Sequence, residues 1–274
     1  MINYTERLTL LMADIVRRVP TLSFIDVADV LVFARPGRTN AEGAFATCHC
    51  LTLPQSEPGY YFWRDRMTHR ITRRSEWFVT KSPVVTVGPR TIKYMVSFSL
   101  PRFCDQSLDR SRKEKFYPGA DPWMAKLDTV IHELYHIDPE LAGIRRIERE
   151  DGTYSANCHG HRFFEEVAGM VHTYLASRPS LDAYGFLRND FAALTAEHGG
   201  VAATSFRNFP SFPQRYIERV ADQPPCDADA AGVAVEPLRT PSQPTRFTED
   251  DLHVREFTAD STRRLIRKGK FRAA

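Results

Sequence analysis

From Trp123 to Ile137 the chain runs without a proline or glycine, and within this run stands His132-Glu133-Leu134-Tyr135-His136, an H-E-x-x-H string. Residues four apart on a helix lie one above the other. Two imidazoles at that spacing can hold one zinc ion, and the Glu beside the first is placed to take a proton from water at the site. The flanks favour a helix. Asp121-Pro122 reads as an N-cap followed by proline at the first helical position, where a missing N–H breaks no bond. Asp138-Pro139 ends the run, because the residue before a proline is pushed out of the helical region. At ~100° per residue, Leu127, Val130, Ile131 and Leu134 fall within one apolar arc of ~100°. His132 and His136 lie ~150–170° from its centre, so one face is apolar and another carries the histidines.

Catalytic zinc commonly takes three protein ligands and leaves one position open. The metzincin extension needs a glycine three residues after the second His and a histidine three further on. Pro139 and Ala142 stand there, which excludes that class. The next candidates lie in Cys158-His159-Gly160-His161-Arg162-Phe163-Phe164-Glu165-Glu166-Val167, opening a second helical run to about Leu175. Phe163, Val167, Met170, Val171 and Tyr174 form its expected buried stripe. On that wheel His159 sits ~70° from the stripe's centre and His161 ~130° away, so His159 is the expected third ligand and His161 the reserve. Glu166 shares the flank of His159 and stays open as a ligand, although its neighbours better fit a supporting or surface carboxylate. His49, His69, His172, His198 and His253 show no ligand spacing.

Val130-Ile131-His132-Glu133-Leu134-Tyr135-His136-Ile137, the Leu-Ala-Gly-Ile-Arg-Arg segment at 141–146 and His159-Gly160-x-x-Phe163 together resemble the SprT-like and phage-type zinc metallopeptidases. The likeness covers roughly residues 85–175 and is carried by the two helix motifs. It implies a minimal zincin with His132, His136 and His159 as ligands to one Zn²⁺, Glu133 as general base and a protein or peptide substrate. The spacer between the second and third His is longer than in typical SprT-like chains, and no C-x-x-C pair supplies their zinc ribbon. The phage-type group is therefore the closer fit. Donors for a tetrahedral oxyanion would come from Tyr135, Tyr154, His161 or Arg145, with Tyr154 preferred. In zincins the strand before the active helix forms the edge along which substrate lies extended. That place falls to 91–98, after a hairpin around Gly88-Pro89-Arg90 formed by Val84–Val87 and Thr91–Leu100.

The remaining sequence bounds the class. At 42% hydrophobic and 26% charged residues the composition is that of an ordinary globular domain, and no apolar run approaches ~18 residues, so no membrane span is expected. Thr5 to Arg18 is an amphipathic helix pattern whose Glu6 and Asp14 interrupt any signal-peptide core, and five cysteines give no disulfide framework. Both point to the cytoplasm. In Cys48-His49-Cys50 a strand would place the thiols on one face and the imidazole on the other, so the three cannot converge on a metal. Further strands are expected at 23–33 and 44–53, and a helix at 180–198 stopped by Gly199-Gly200. After residue 205, seven prolines punctuate a stretch of little periodicity.

The expected architecture is α+β and zincin-like: a small mixed or antiparallel sheet packed on the H-E-x-x-H helix and a second ligand-bearing helix. Residues 1–205 would form that domain, and 206–274 a Pro-rich, poorly ordered linker with a basic tail. A competing reading is a nucleic-acid-associated protein with a structural or inactive metal site, drawing on Arg64–Arg74 beside Trp63 and Trp77, and on the tail at 263–272. The net charge of +3 implies little whole-protein attraction to phosphate.

Overall fold

The structure of the protein, a computed structural model, describes residues 1–37, 43–52, 58–109, 111–145, 147–148, 154–155, 159, 162–207, 212–220, 232–237 and 246–259. Strand β1 (Ile2–Asn3) leads into helix α1 (Tyr4–Arg18), whose first turn is capped by the Asn3 side chain accepting from the Glu6 N–H. Its amphipathic pattern is realised fully: Leu8, Leu11, Met12 and Ile15 have no exposure. The expected strand at 23–33 starts late, because two 3-10 turns take up Pro20–Leu22 and Val27–Asp29 before β2 (Val30–Gly37).

Next come β3 (Ala46–Cys50), β4 (Phe62–Arg64), β5 (Ile71–Ser75), β6 (Phe78–Lys81), β7 (Val84–Val87), β8 (Arg90–Thr91) and β9 (Tyr94–Pro101). The expected hairpin shortens to β7 and β8 around Gly88, whose φ of +55° is the left-handed conformation such a turn needs. β9 departs from it and becomes the centre of a sheet ordered β2-β9-β3, parallel to β2 and antiparallel to β3. All eight of its residues are buried. The expectation that 91–98 forms the exposed edge is therefore corrected: the edge nearest the H-E-x-x-H helix is β3. An uninterrupted apolar run with strand neighbours on both sides belongs in the middle of a sheet.

Helix α2 (Met124–Tyr135) begins later than the Asp121-Pro122 signal implies. Asp121 caps no helix; its carboxylate accepts from the Trp123 indole N–H at 3.1 Å, within a turn ahead of α2. The stripe of Leu127, Val130, Ile131 and Leu134 has no exposure. The rest of the helix is scarcely more open, since Lys126, Asp128, Thr129 and Glu133 are buried too. The small hairpin β10 (Ile147–Glu148) and β11 (Tyr154–Ser155) precedes α3 (Phe163–Ala176), whose expected stripe is buried throughout.

The expected helix at 180–198 divides into α4 (Leu181–Tyr184), a 3-10 turn and α5 (Phe191–His198). Asp190 restarts it by accepting from the Ala193 N–H at 2.7 Å, and Gly199 stops it at φ +69° as expected. β12 (Val201–Phe206) then pairs with β1 on one side.

The chain closes with β13 (Tyr216–Arg219), β14 (Ala234–Glu236), β15 (Arg246–Phe247) and β16 (Leu252–Phe257). Each pairs with an earlier strand: β13 with β6, β14 with β5, β15 with β7, and β16 with all six residues of β12. The boundary expected at 205 thus falls inside a paired strand, and the described parts of 206–274 are woven into the sheets instead of trailing as a linker. Prolines disguised this, because they separate strands of two to six residues too short to show a period. The architecture is mixed α+β with small sheets and, among the described residues, five α-helices. None is long and apolar enough to cross a membrane.

Phe257, at 2% exposure and opposite Val201, ties the C-terminal strand into the core. Phe257→Ala is expected to lower unfolding free energy by about 3–5 kcal/mol in urea titrations. A change below about 0.5 kcal/mol is what a detached linker would give.

Candidate metal centre

Helix spacing delivers the first two imidazoles. His132 projects from the last turn of α2, His136 caps the helix immediately after it, and His159 comes from the segment four residues ahead of α3. The His159 Nε2 lies 3.1 Å from Nε2 of His132 and 3.1 Å from Nε2 of His136. Four ligands placed tetrahedrally at about 2.0–2.1 Å from zinc stand about 3.3–3.4 Å apart, so the spacing is close to that of a zinc cradle. Phe163 supports all three rings at once, with centroid distances of 4.9 Å to His132, 5.0 Å to His136 and 4.8 Å to His159. Among the described residues these three form the one His/Cys/Asp/Glu group able to hold a metal ion.

The donor set itself fits a cation. Three neutral imidazole nitrogens facing one point repel as lone pairs, and one shared proton satisfies a single pair at a time. A metal ion satisfies all three. Burial, then the neighbouring His136 and Lys113, hold the His132 pKa down to about 2. Burial and His159 bring His136 to about 4, and burial also lowers His159. All three imidazoles are therefore neutral near pH 7, the form in which histidine can bind a metal. Nδ1 of His132 and of His136 is buried with no partner among the described residues. A proton on Nδ1 leaves each Nε2 lone pair for the shared point.

His159 reaches the site by a route other than the one the helical wheel supposed. α3 starts at Phe163, so His159 belongs to the approach to the helix and the wheel angle does not govern it. Glu166 is directed elsewhere and accepts from the Tyr135 hydroxyl at 2.9 Å, joining α2 to α3. Arg145, an oxyanion candidate from sequence, instead closes the end of α2. Its N–H donates to the His136 carbonyl and its Nε to the Tyr135 carbonyl, both at 2.8 Å, with the guanidinium 4.2 Å over the Tyr135 ring. The side chains of Tyr154 and His161 lie outside the described residues.

Glu133 completes the arrangement. A cavity of about 410 Å³ is lined by His132, Glu133, His136 and His159, by 44–48 at β3, by Ile144, and by Gln106, Ser111, Lys113 and Thr129 at its polar end. Ladder bonds from Leu51 N–H to the Lys93 carbonyl and from Ser99 N–H to the Phe45 carbonyl turn odd residues of β3 towards β9. The backbone groups of Ala46 and Cys48 consequently face away from β9. The Cys48 N–H donates to the Glu133 carboxylate, so the edge strand and the candidate base are directly joined. Burial pushes Glu133 up to about 7, against the lowering effects of that N–H, Lys113 and Arg35. Lys113 is itself held by Asp128 at 2.6 Å and Thr129 at 2.5 Å, and Tyr117 donates to the other Asp128 oxygen at 2.6 Å. Neither the Cys48 N–H nor Lys113 was identified from sequence as a site element; Phe163 stood in the His159-Gly160-x-x-Phe163 motif, but its contact with all three rings was not foreseen.

The Cys48-His49-Cys50 geometry is as expected for a strand. His49 turns to the Ser97 hydroxyl at 3.1 Å and to Phe212, away from α2, while Cys48 and Cys50 pack on the main core. In the basic aromatic segment, Arg73 covers Trp63 at 4.8 Å, Arg74 covers Tyr60 at 4.5 Å, and Arg73 also pairs with Glu236. Those rings are occupied by the chain's own cations. The tail at 263–272 lies outside the described residues. Comparison with protein families, curated proteins and solved structures finds no match for this chain.

Burial gives the metal-free site a pH signature. The depressed histidines stabilise the fold above pH 6.5 and lose this as pH falls, because the unfolded chain takes up protons first. Glu133 works oppositely: its raised pKa favours the fold at low pH, and that contribution is lost between pH 4.5 and about 7. Towards pH 5 His132 and His136 together add nearly two unfolded-state protons, falling to one at pH 6.5, and Glu133 subtracts nearly one. Urea titrations of metal-free protein from pH 5 to 6.5 should therefore show stability rising by about 1 kcal/mol per pH unit on average, and about twice that in Glu133→Gln. A flat profile in both proteins would contradict the burial of these groups.

Proposed function

We infer that the protein is a zinc-dependent metallopeptidase of zincin-like build, hydrolysing peptide bonds in a protein or peptide substrate. The observation that carries this reading is the convergence of three Nε2 atoms with the Glu133 carboxylate on the same cavity, bordered by an edge strand. His132, His136 and His159 would hold one Zn²⁺. Zinc held there supplies Lewis acidity, polarising a carbonyl and lowering the pKa of water to roughly 7.

The chain's own residues supply the rest. A substrate segment pairing with the Ala46 backbone groups and the Cys48 carbonyl, the outward-facing groups of β3 that Glu133 leaves free, extends the sheet by one strand and carries its scissile bond past α2. Glu133, poised near neutrality by burial, takes the proton of the attacking water and returns it to the departing amine. The Cys48 N–H fixes the carboxylate while it does so. Arg145 and the Tyr135–Glu166 bond hold the end of α2, and with it His136, in place. The motifs around His132 and His159 extend the reading to the SprT-like and phage-type metallopeptidases. The catalytic core would then be the α2–α3 pair with the β2-β9-β3 sheet.

The test is zinc-reconstituted protein assayed on casein beside Glu133→Gln. The variant should keep its zinc and lose cleavage by about 10²–10⁴-fold, the range of a missing general base. Equal cleavage by both proteins would remove Glu133 from the chemistry.

A further inference from the structure

Two cations lie beside the β3 edge, and the catalytic reading uses only one of them, Arg35, through its field at Glu133. Arg35 leaves β2, the far edge of the sheet, yet its guanidinium Nη2 reaches the Thr47 hydroxyl on β3 at 3.4 Å. With strands about 4.8 Å apart, β2 and β3 stand about 9.6 Å from each other, so this side chain spans the central strand. It crosses where β9 presents Ser97 and Ser99, in register with Thr47 and Arg35 respectively. Larger residues there would block the path. Arg102 follows β9 at the same end of the sheet and lies 4.2 Å over the Phe45 ring. Thr47 and Phe45, the two contacts of these guanidiniums, both line the cavity that holds the three histidines and Glu133.

Neither arginine has a carboxylate in salt-bridge contact among the described residues. Arg35 Nε is buried without a hydrogen-bond partner among them. Both residues are partly buried, and burial is the main cause lowering the pKa of both; at Arg35 the repulsion of Arg102 adds to it and the Glu133 carboxylate opposes it. Partly buried like charges set beside each other are destabilising unless anions balance them, and the one carboxylate whose field reaches Arg35, Glu133, leaves Arg102 unanswered. We propose that Arg35 and Arg102 form a carboxylate-binding subsite beside the edge strand, selecting substrates that present an acidic group on this face. A strand added beyond β3 alternates its side chains, and one set projects on the Thr47 side, within reach of the two guanidiniums. The carboxylate belongs to an acidic side chain or to the substrate's C-terminus; both satisfy the planar, bidentate geometry of arginine.

This proposal takes its substrate from the peptidase reading, so the experiment separates the two. The Arg35 Nε–H resonance of zinc-reconstituted, nitrogen-15-labelled protein, assigned by its loss in Arg35→Gln, is followed during titration with succinate. A saturable shift that disappears in Arg102→Gln is expected. No shift through the millimolar range overturns the subsite whether or not casein is cleaved, whereas a shift without any peptide cleavage keeps the subsite and removes the peptidase reading. Matched fluorogenic peptides then distinguish the sources, Glu against Gln in one pair and free against amidated C-terminus in the other. The wild-type preference for the acidic member of one pair should fall by about 10- to 100-fold in Arg35→Gln and in Arg102→Gln, the contribution of a charge-assisted hydrogen bond. Equal ratios in wild type and both variants, at equal zinc content, overturn the proposal.

Discussion

The site depends on the packing of one aromatic ring. Phe163 opens α3, is 3% exposed, and touches the imidazoles of His132, His136 and His159 together. Through it the register of α3 against α2 becomes the spacing of three nitrogens. The apolar stripe of α2 fixes that helix in the core, at about 1.5–3 kcal/mol for each fully buried Leu, Ile or Val. The Tyr135–Glu166 hydrogen bond and the closure by Arg145 then fix where the helix ends. Local helix geometry sets the His132–His136 spacing, whereas the third nitrogen depends on tertiary packing throughout.

Burial then decides the chemistry these groups can perform. The same desolvation that keeps the histidines unprotonated, and so available as ligands, lifts Glu133 towards neutrality. Left alone, such a carboxylate would become a neutral acid. The Cys48 N–H and the positive fields of Lys113 and Arg35 oppose that tendency from three different elements. Lys113 avoids the penalty of an isolated buried charge because Asp128 answers it, and Tyr117 in turn satisfies Asp128. The edge strand thereby has two roles, one as a boundary of the cleft and one as an electrostatic partner of the candidate base.

Local features of this arrangement were legible in the sequence and non-local ones were not. Period 3.6 identified α1, the buried stripes of α2 and α3 and the shared face of His132 and His136, since each depends on residues within two turns. Gly199 marked its helix end for the same reason. The strand pairings were hidden. Whether 94–101 is central or at an edge depends on β2 and β3, up to about sixty residues away in sequence, and a continuous apolar run reads alike in both settings. The pairing of β12 with β16 was hidden similarly, behind prolines that resemble a linker. His159 lies in the cluster, but the helical geometry by which the sequence pointed to it is not the geometry that brings it there. Lys113 and Arg35 carry no local signature, because their partners are brought to them only by the fold.

The central claim is that three histidines share one metal ion, and zinc K-edge X-ray absorption on the reconstituted protein tests it most directly. A shared ion gives three imidazole nitrogens and one oxygen at about 2.0–2.1 Å, with one nitrogen fewer in His159→Ala. A spectrum unchanged by His159→Ala, or a sulfur shell at about 2.3 Å pointing to cysteine ligation, would contradict it.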